Sequence, residues 1–174
     1  MRSSASERTN VGEEMSLYYL GNYRTQAQLE DMLRLEEAGT CIFCPEHLAK
    51  DADQRILHRT AQWTVTPNEF PYRGTRLHLL LVPDEHVTDM LDLSDESKLD
   101  MWTALAWVRK EYGLTFYSLL ARNGECEFTG ATVRHVHLHL LQGDVDDPRH
   151  EPVRTKLSSR PREVNPDHFD PGRA

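Results

Sequence analysis

Residues 135–141 read His-Val-His-Leu-His-Leu-Leu. In an extended strand successive side chains alternate between faces, so His135, His137 and His139 would share one face and Val136, Leu138 and Leu140 the other. The apolar set can pack beneath a helix, while the imidazoles stand in a row about 6.6 Å apart. Such a row supports two chemistries. Imidazole is a common zinc or iron ligand, which would make a catalytic metal centre. Alternatively, at least one histidine acts as a nucleophile or acid–base group, because its ordinary pKa lies near neutrality. Spacing alone does not separate the two. A second signal is Cys41-Ile42-Phe43-Cys44. Its i, i+3 spacing is that of a zinc knuckle, although no second Cys-x-x-Cys follows; a buried pair of small apolar thiols is the alternative. Cys126, in an exposed loop, reads as an unpaired thiol.

The elements that position these residues form one α+β domain. Thr25-Gln26-Ala27-Gln28 resembles a capping box, with Leu29, Met32, Leu33 and Leu35 following at helical spacing and Gly39 ending the helix. Strands are expected between Gln54 and Val82, where Trp63-Thr64-Val65-Thr66 alternates and Leu77 to Val82 is a nearly continuous apolar run stopped by Pro83. Ser94 caps a second helix running to about Tyr112, closed by Gly113. That helix carries two stripes, Leu99, Trp102 and Ala106 on one and Met101, Leu105 and Val108 on the other. A helix apolar over that width covers a sheet and has surface left for a second subunit. Phe116 to Ala121 and Val133 to Leu141 are expected as two further strands.

The chain has 174 residues, 39% of them hydrophobic, enough for one domain with a substantial core. Residues 1–16 carry little to bury and read as disordered; 17–142 form the catalytic domain. From Gly143 onward the chain holds five of its nine prolines with few large apolar residues, so 143–174 read as an extended or disordered C-terminal arm. There are 20 basic and 28 acidic residues, a formal net charge of -8, which argues against extended nucleic-acid binding but leaves room for a pocket holding one nucleotide. No apolar run is long enough to span a membrane and the start of the chain is polar, so a cytoplasmic protein is expected.

Taken together, His135 to Leu141 resemble the motif of the histidine triad family of nucleotide hydrolases and transferases, His-φ-His-φ-His-φ-φ with φ apolar. The likeness extends, in order, through Cys41 and Cys44, Leu77 to Pro83, His86, Asn123-Gly124 and Gly130-Ala131-Thr132-Val133. The resemblance implies an antiparallel sheet of about five strands with two helices, an N-terminal helical extension, and a homodimer paired across the long helix. It implies covalent catalysis in which His137 attacks the α-phosphorus of a small-molecule nucleotide and water then hydrolyses the nucleotidyl-histidine. His139 and Thr132 would contact the phosphate, and Asn123 the phosphate or leaving-group side. His78 would stand near the active centre, and Phe70, Pro71 and Leu80 would border the base. It further implies a structural zinc on Cys41, Cys44, His86 and His135, with His47 a rival ligand and no catalytic metal. Where many relatives have Gly-Gln-Ser or Gly-Gln-Thr, this chain has Gly130-Ala131-Thr132, and Ala131 cannot hydrogen-bond a bridging oxygen. The favoured activity is hydrolysis of a nucleoside 5′-phosphoramidate or related nucleotidyl bond. The alternatives are a dinucleoside polyphosphate hydrolase or phosphorylase, a catalytically weak nucleotide-binding regulatory module, and a metal-dependent oxygenase or hydrolase.

Overall fold

The computed structural model describes residues 16–49 and 55–160. Most of the expected disordered N-terminus, and the end of the arm with His168, lie outside them. Helix α1 (Gln26–Glu37) opens at Thr25, whose Oγ1 accepts the Gln28 N–H, while Gln28 Oε1 accepts the Arg24 N–H. One orphan donor of the first turn is thereby satisfied, and the chain entering the helix is pinned at Arg24. The short helix α2 (Pro45–Leu48) follows, then β1 (His58–Arg59), β2 (Trp63–Pro67) and β3 (Thr75–Pro83). Helix α3 (Asp95–Glu111) is capped by the Ser94 hydroxyl, itself hydrogen-bonded to Glu85. Strand β4 (Ser118–Ala121), helix α4 (Cys126–Thr129) and β5 (Leu138–Gly143) complete the set.

The five strands form one antiparallel sheet in the order β1-β2-β3-β5-β4. Alternation along the strands divides the apolar residues between its two faces. Trp63, Val65, Leu79, Leu81, Leu138 and Leu140 pack under Met101, Leu105 and Val108 of α3, and Trp63 Nε1–H donates to the Ser97 carbonyl at 2.7 Å. Leu80 and Val82 turn the other way, against α1 and the Cys41–Leu48 segment. His139 pairs with Leu80 across the β3–β5 ladder and so stands on this second face.

Three expectations need correction. The strand anticipated from Val133 to Leu141 is regular only from Leu138, because the preceding segment has no ladder partner: Val133 makes an isolated bridge to Tyr18, and the Val136 N–H donates to the Val87 carbonyl. The strand expected from Phe116 begins at Ser118, and Phe116 is exposed. Cys126 is fully buried, carried inward by α4. The two stripes on α3 divide as their width implied: Met101, Leu105 and Val108 reach the core, while Leu99 and Trp102 are 71% and 59% exposed.

Candidate functional site

The three triad histidines are all buried, and each is fixed by a different backbone or side-chain partner. The His137 Nδ1–H donates to the His135 carbonyl at 2.8 Å. A carbonyl only accepts, so the proton is on Nδ1 and Nε2 carries a free lone pair. Burial holds the His137 pKa down at about 4, which keeps that nitrogen unprotonated at neutral pH. Phe43 packs against the ring, centroids 4.8 Å apart.

His139 is set by a relay. The Tyr72 N–H donates to His78 Nδ1 at 3.1 Å, which places the His78 proton on Nε2; Nε2 lies 2.9 Å from both His139 Nδ1 and Asn68 Nδ2, and of these only the imidazole nitrogen can accept the proton. His139 therefore presents Nε2–H, a buried donor with no partner among the described residues. An orphaned buried donor is costly unless a ligand answers it. Burial lowers both pKa values, His78 to about 3, so the pair stays neutral.

His137, His139 and Thr132 lie at the junction of two cavities. One, of about 150 Å³, is lined by the apolar Met32, Ile42, Phe43, Phe70 and Leu80 and also by the polar Arg24, Gln28, Asp31, Arg34, Asn68 and Glu69. The other, of about 350 Å³, is lined by Arg24, Tyr72, Arg122 and Arg154 together with Asn22 and Ala131. Phe70 and Leu80 thus stand where the base was expected. Pro71 borders an adjacent groove with Arg24 and Tyr72 instead. His78 lies beneath His139 and lines neither cavity.

Asn123 is not brought to either cavity. It is exposed, and its Oδ1 accepts the Met90 N–H at 3.0 Å. Its neighbour Arg122 lines the larger cavity: beyond the end of β4 the alternation of faces gives one residue to the site and the next to solvent. Tyr72 ends the loop from Asn68 that was expected to border the base pocket; Arg24, Arg122 and the arm residues 154–156 were not anticipated. The arm carries mixed charge, with Arg154 and Lys156 two positions apart, which is equally the mark of a solvated surface.

Behind His137, the Cys41 and Cys44 thiols meet His86 and His135, with one ligand atom from each residue all within 4.8 Å of one another. His135 Nε2–H donates to the Pro83 carbonyl at 2.9 Å, leaving Nδ1 free 3.5 Å from Cys41 Sγ and 3.9 Å from Cys44 Sγ. His86 Nδ1 lies 3.2 Å from Cys44 Sγ. Tetrahedral bonds of about 2.3 Å to sulfur and 2.0 Å to nitrogen place such atoms about 3.5 Å apart, so the four can hold a metal ion. The backbone bond that fixes the ligand tautomer of His135 is what a metal-binding imidazole requires. His47, on the exposed side of α2, is not one of the four.

A family model described as the HIT domain matches residues 49–146, more than half of the chain. Over 64 residues the chain is 38% identical to an adenosine 5′-monophosphoramidase of Schizosaccharomyces pombe, a match spanning 37% of this chain and 47% of that relative, about half its length. A HIT family hydrolase from Clostridium thermocellum superposes with a TM-score of 0.51 at 24% identity, over 63% of this chain and 95% of the other. A hypothetical protein from Leishmania major gives 0.52 at 24% identity, over 75% and 88%. These two likenesses show a common fold.

Proposed function

The chain belongs to the HIT domain family, and from that premise we propose that it hydrolyses a nucleoside 5′-phosphoramidate or related nucleotidyl bond through a nucleotidyl-His137 intermediate. The observation that carries this reading is the paired tautomers: His137 offers a free Nε2 lone pair beside a His139 Nε2–H that has no partner among the described residues, both at the junction of the two cavities. The base enters the smaller cavity among Phe43, Phe70 and Leu80, which sets the α-phosphate at the junction. His137 Nε2 attacks phosphorus and forms a P–N bond. The bond from phosphorus to the leaving-group nitrogen or oxygen breaks, its electron pair stays with that atom, and the atom takes up a proton. The His139 N–H and the Thr132 hydroxyl donate to the phosphoryl oxygens as charge gathers there. Water then attacks phosphorus, the P–Nε2 bond breaks with its electrons returning to Nε2, and a proton leaves with the nucleoside monophosphate.

The sulfur-rich donor set of Cys41, Cys44, His86 and His135 suits zinc, and four protein ligands leave no position for a substrate. Zinc here would supply a structural tie between the segment after α1, the turn after β3 and the approach to β5. No step of the reaction passes through it.

Exposed Leu99 and Trp102 on α3, with Leu119 on the edge strand β4, support a homodimer formed across this face. Among the described residues no helix is long and apolar enough to cross a membrane. Three cysteines that form no disulfide, two of them placed to hold a metal, support a reducing, cytoplasmic setting. The family reading is tested by replacing His137 with Asn. Turnover of an adenosine 5′-phosphoramidate should fall by several orders of magnitude with nucleotide affinity largely retained. Near-native turnover in that variant would overturn the assignment.

A further inference from the structure

Arg122 is 6% exposed, yet no carboxylate among the described residues answers its charge. Nη1 donates to the Thr129 and Lys156 carbonyls, and Nη2 donates to Tyr72 Oη at 2.9 Å and Thr155 Oγ1 at 2.6 Å. Every acceptor is neutral. Half-buried Arg24 repeats the pattern: its Nη2 donates to the Phe70 carbonyl at 2.5 Å, and its guanidinium lies over the Tyr72 ring, 4.6 Å from the centroid. Tyr72 touches both cations. Burial, with the neighbouring Arg122 charge, holds the Arg24 pKa below its ordinary value. Buried charges left without a counter-charge are costly, and two of them facing one cavity define a place for an anion.

The cavity wall opposite is the arm. Arg154, Thr155 and Lys156 line it, and their seat is specific. Gly74 and Gly130 have φ of +80° and +75°, and a side chain on either would run into the carbonyl of Glu151 or Lys156. The Ser159 N–H donates to the Glu127 carbonyl at 2.8 Å, and Ser159 Oγ donates to Asn22 Oδ1 at 2.5 Å. Residues 151–160 are thus part of the site.

We propose that Arg24, Tyr72 and Arg122, walled by residues 151–160, form a subsite for an anionic group, carboxylate or phosphate, carried by the leaving group. The assignment rests on His137 as nucleophile. With the base among Phe43, Phe70 and Leu80 and the α-phosphate at the triad, the cavity lined by Arg122 and Arg154 is the space left for the departing group. His139 and Thr132 offer neutral donors to the α-phosphate, and Arg24 lines both cavities. Guanidinium matches carboxylate and phosphate oxygens in fork geometry, which selects against an uncharged amine.

The test compares three substrates sharing adenosine: the unsubstituted 5′-phosphoramidate, an N-linked amino-acid phosphoramidate bearing a free carboxylate, and diadenosine tetraphosphate. The full chain should favour one of the charged substrates by about tenfold or more in kcat/KM. Which of the two it is distinguishes carboxylate from phosphate. Arg24→Met should reduce that preference about tenfold, and Arg24→Lys should restore part of it; Arg24 is the choice because Arg122 also holds the arm. No preference in the native chain, or an Arg24→Met preference within twofold of native, overturns the subsite; a His137 adduct in the same samples would leave the nucleophile standing. Absence of turnover on all three, with no adduct, would overturn both.

Discussion

Removing the metal-binding group should cost the fold far more than it costs the chemistry. Cys44→Ser deletes a thiol whose Sγ lies 3.2 Å from His86 Nδ1 and 3.9 Å from His135 Nδ1. An ion joining these residues closes one loop of 42 residues from Cys44 to His86, and another of similar length from His86 to His135. By the loop-closure relation used for cross-links, each such loop is worth about 4 kcal/mol. Domains of this kind have only about 5–15 kcal/mol in total, so losing one loop is a large fraction. At about 2–4 °C per kcal/mol for a chain of this size, the melting temperature should drop by roughly 10 °C. Differential scanning calorimetry on native protein, chelator-treated protein and Cys44→Ser, with elemental analysis of each, gives the comparison. Native protein should carry about one zinc per chain. Activity should be reduced but present, since His137 is not one of the four, although its Nδ1–H leans on the His135 carbonyl. A metal-free sample melting within about 2 °C of native would refute the reasoning and return the two cysteines to simple buried thiols.

Two further predictions concern the relay beneath His139. His78→Phe removes the donor to His139 Nδ1 and the acceptor of the Tyr72 N–H. Stability should fall by about 1–3 kcal/mol and kcat should fall while KM changes little, as measured by denaturation and steady-state kinetics; a raised KM with native kcat would contradict a positioning role. Acid should destabilise the protein through the same pair. His78 is held neutral with its pKa down at about 3, whereas the unfolded chain takes up a proton near 6.5. Below pH 6.5 the unfolded state gains protons first, so stability is lost as pH falls from about 6.5 towards 3, by at most about 1.4 kcal/mol per unit for this group. Denaturant midpoints across that range should decline in the native chain and decline less steeply in His78→Phe.

Much of this site was legible in the sequence because it is built on local periodicity. The alternation of His135, His137 and His139 with Val136, Leu138 and Leu140 places the imidazoles opposite the α3 core, and Thr25 and Ser94 mark their helix starts through bonds to residues three positions on. What the alternation did not contain is where hydrogen-bonded pairing begins. Residues 134 and 135 form a bend and 136 and 137 lie outside any ladder, so the strand starts three residues after the first histidine. The exchange of Asn123 for Arg122 has the same origin, since nothing in Leu120-Ala121-Arg122-Asn123 says which parity faces the cavity. The arm is a different case. Its composition reads as extended chain, but its seat depends on Gly74 and Gly130, contacts separated by 77 and 26 residues, which no local pattern encodes.

The central claim is that His137 Nε2 becomes covalently bonded to phosphorus. Rapid quenching of the native chain with an adenosine 5′-phosphoramidate, followed by peptide mass spectrometry under conditions that spare acid-labile P–N bonds, tests it directly. The expected result is an adenylyl adduct on the peptide carrying residues 135–141, localised to His137 and absent from His137→Asn. Turnover with no adduct on that peptide at any quench time, together with an adduct on another residue or with inversion of configuration at a chiral thiophosphoryl centre, as a single direct attack by water gives, would contradict it.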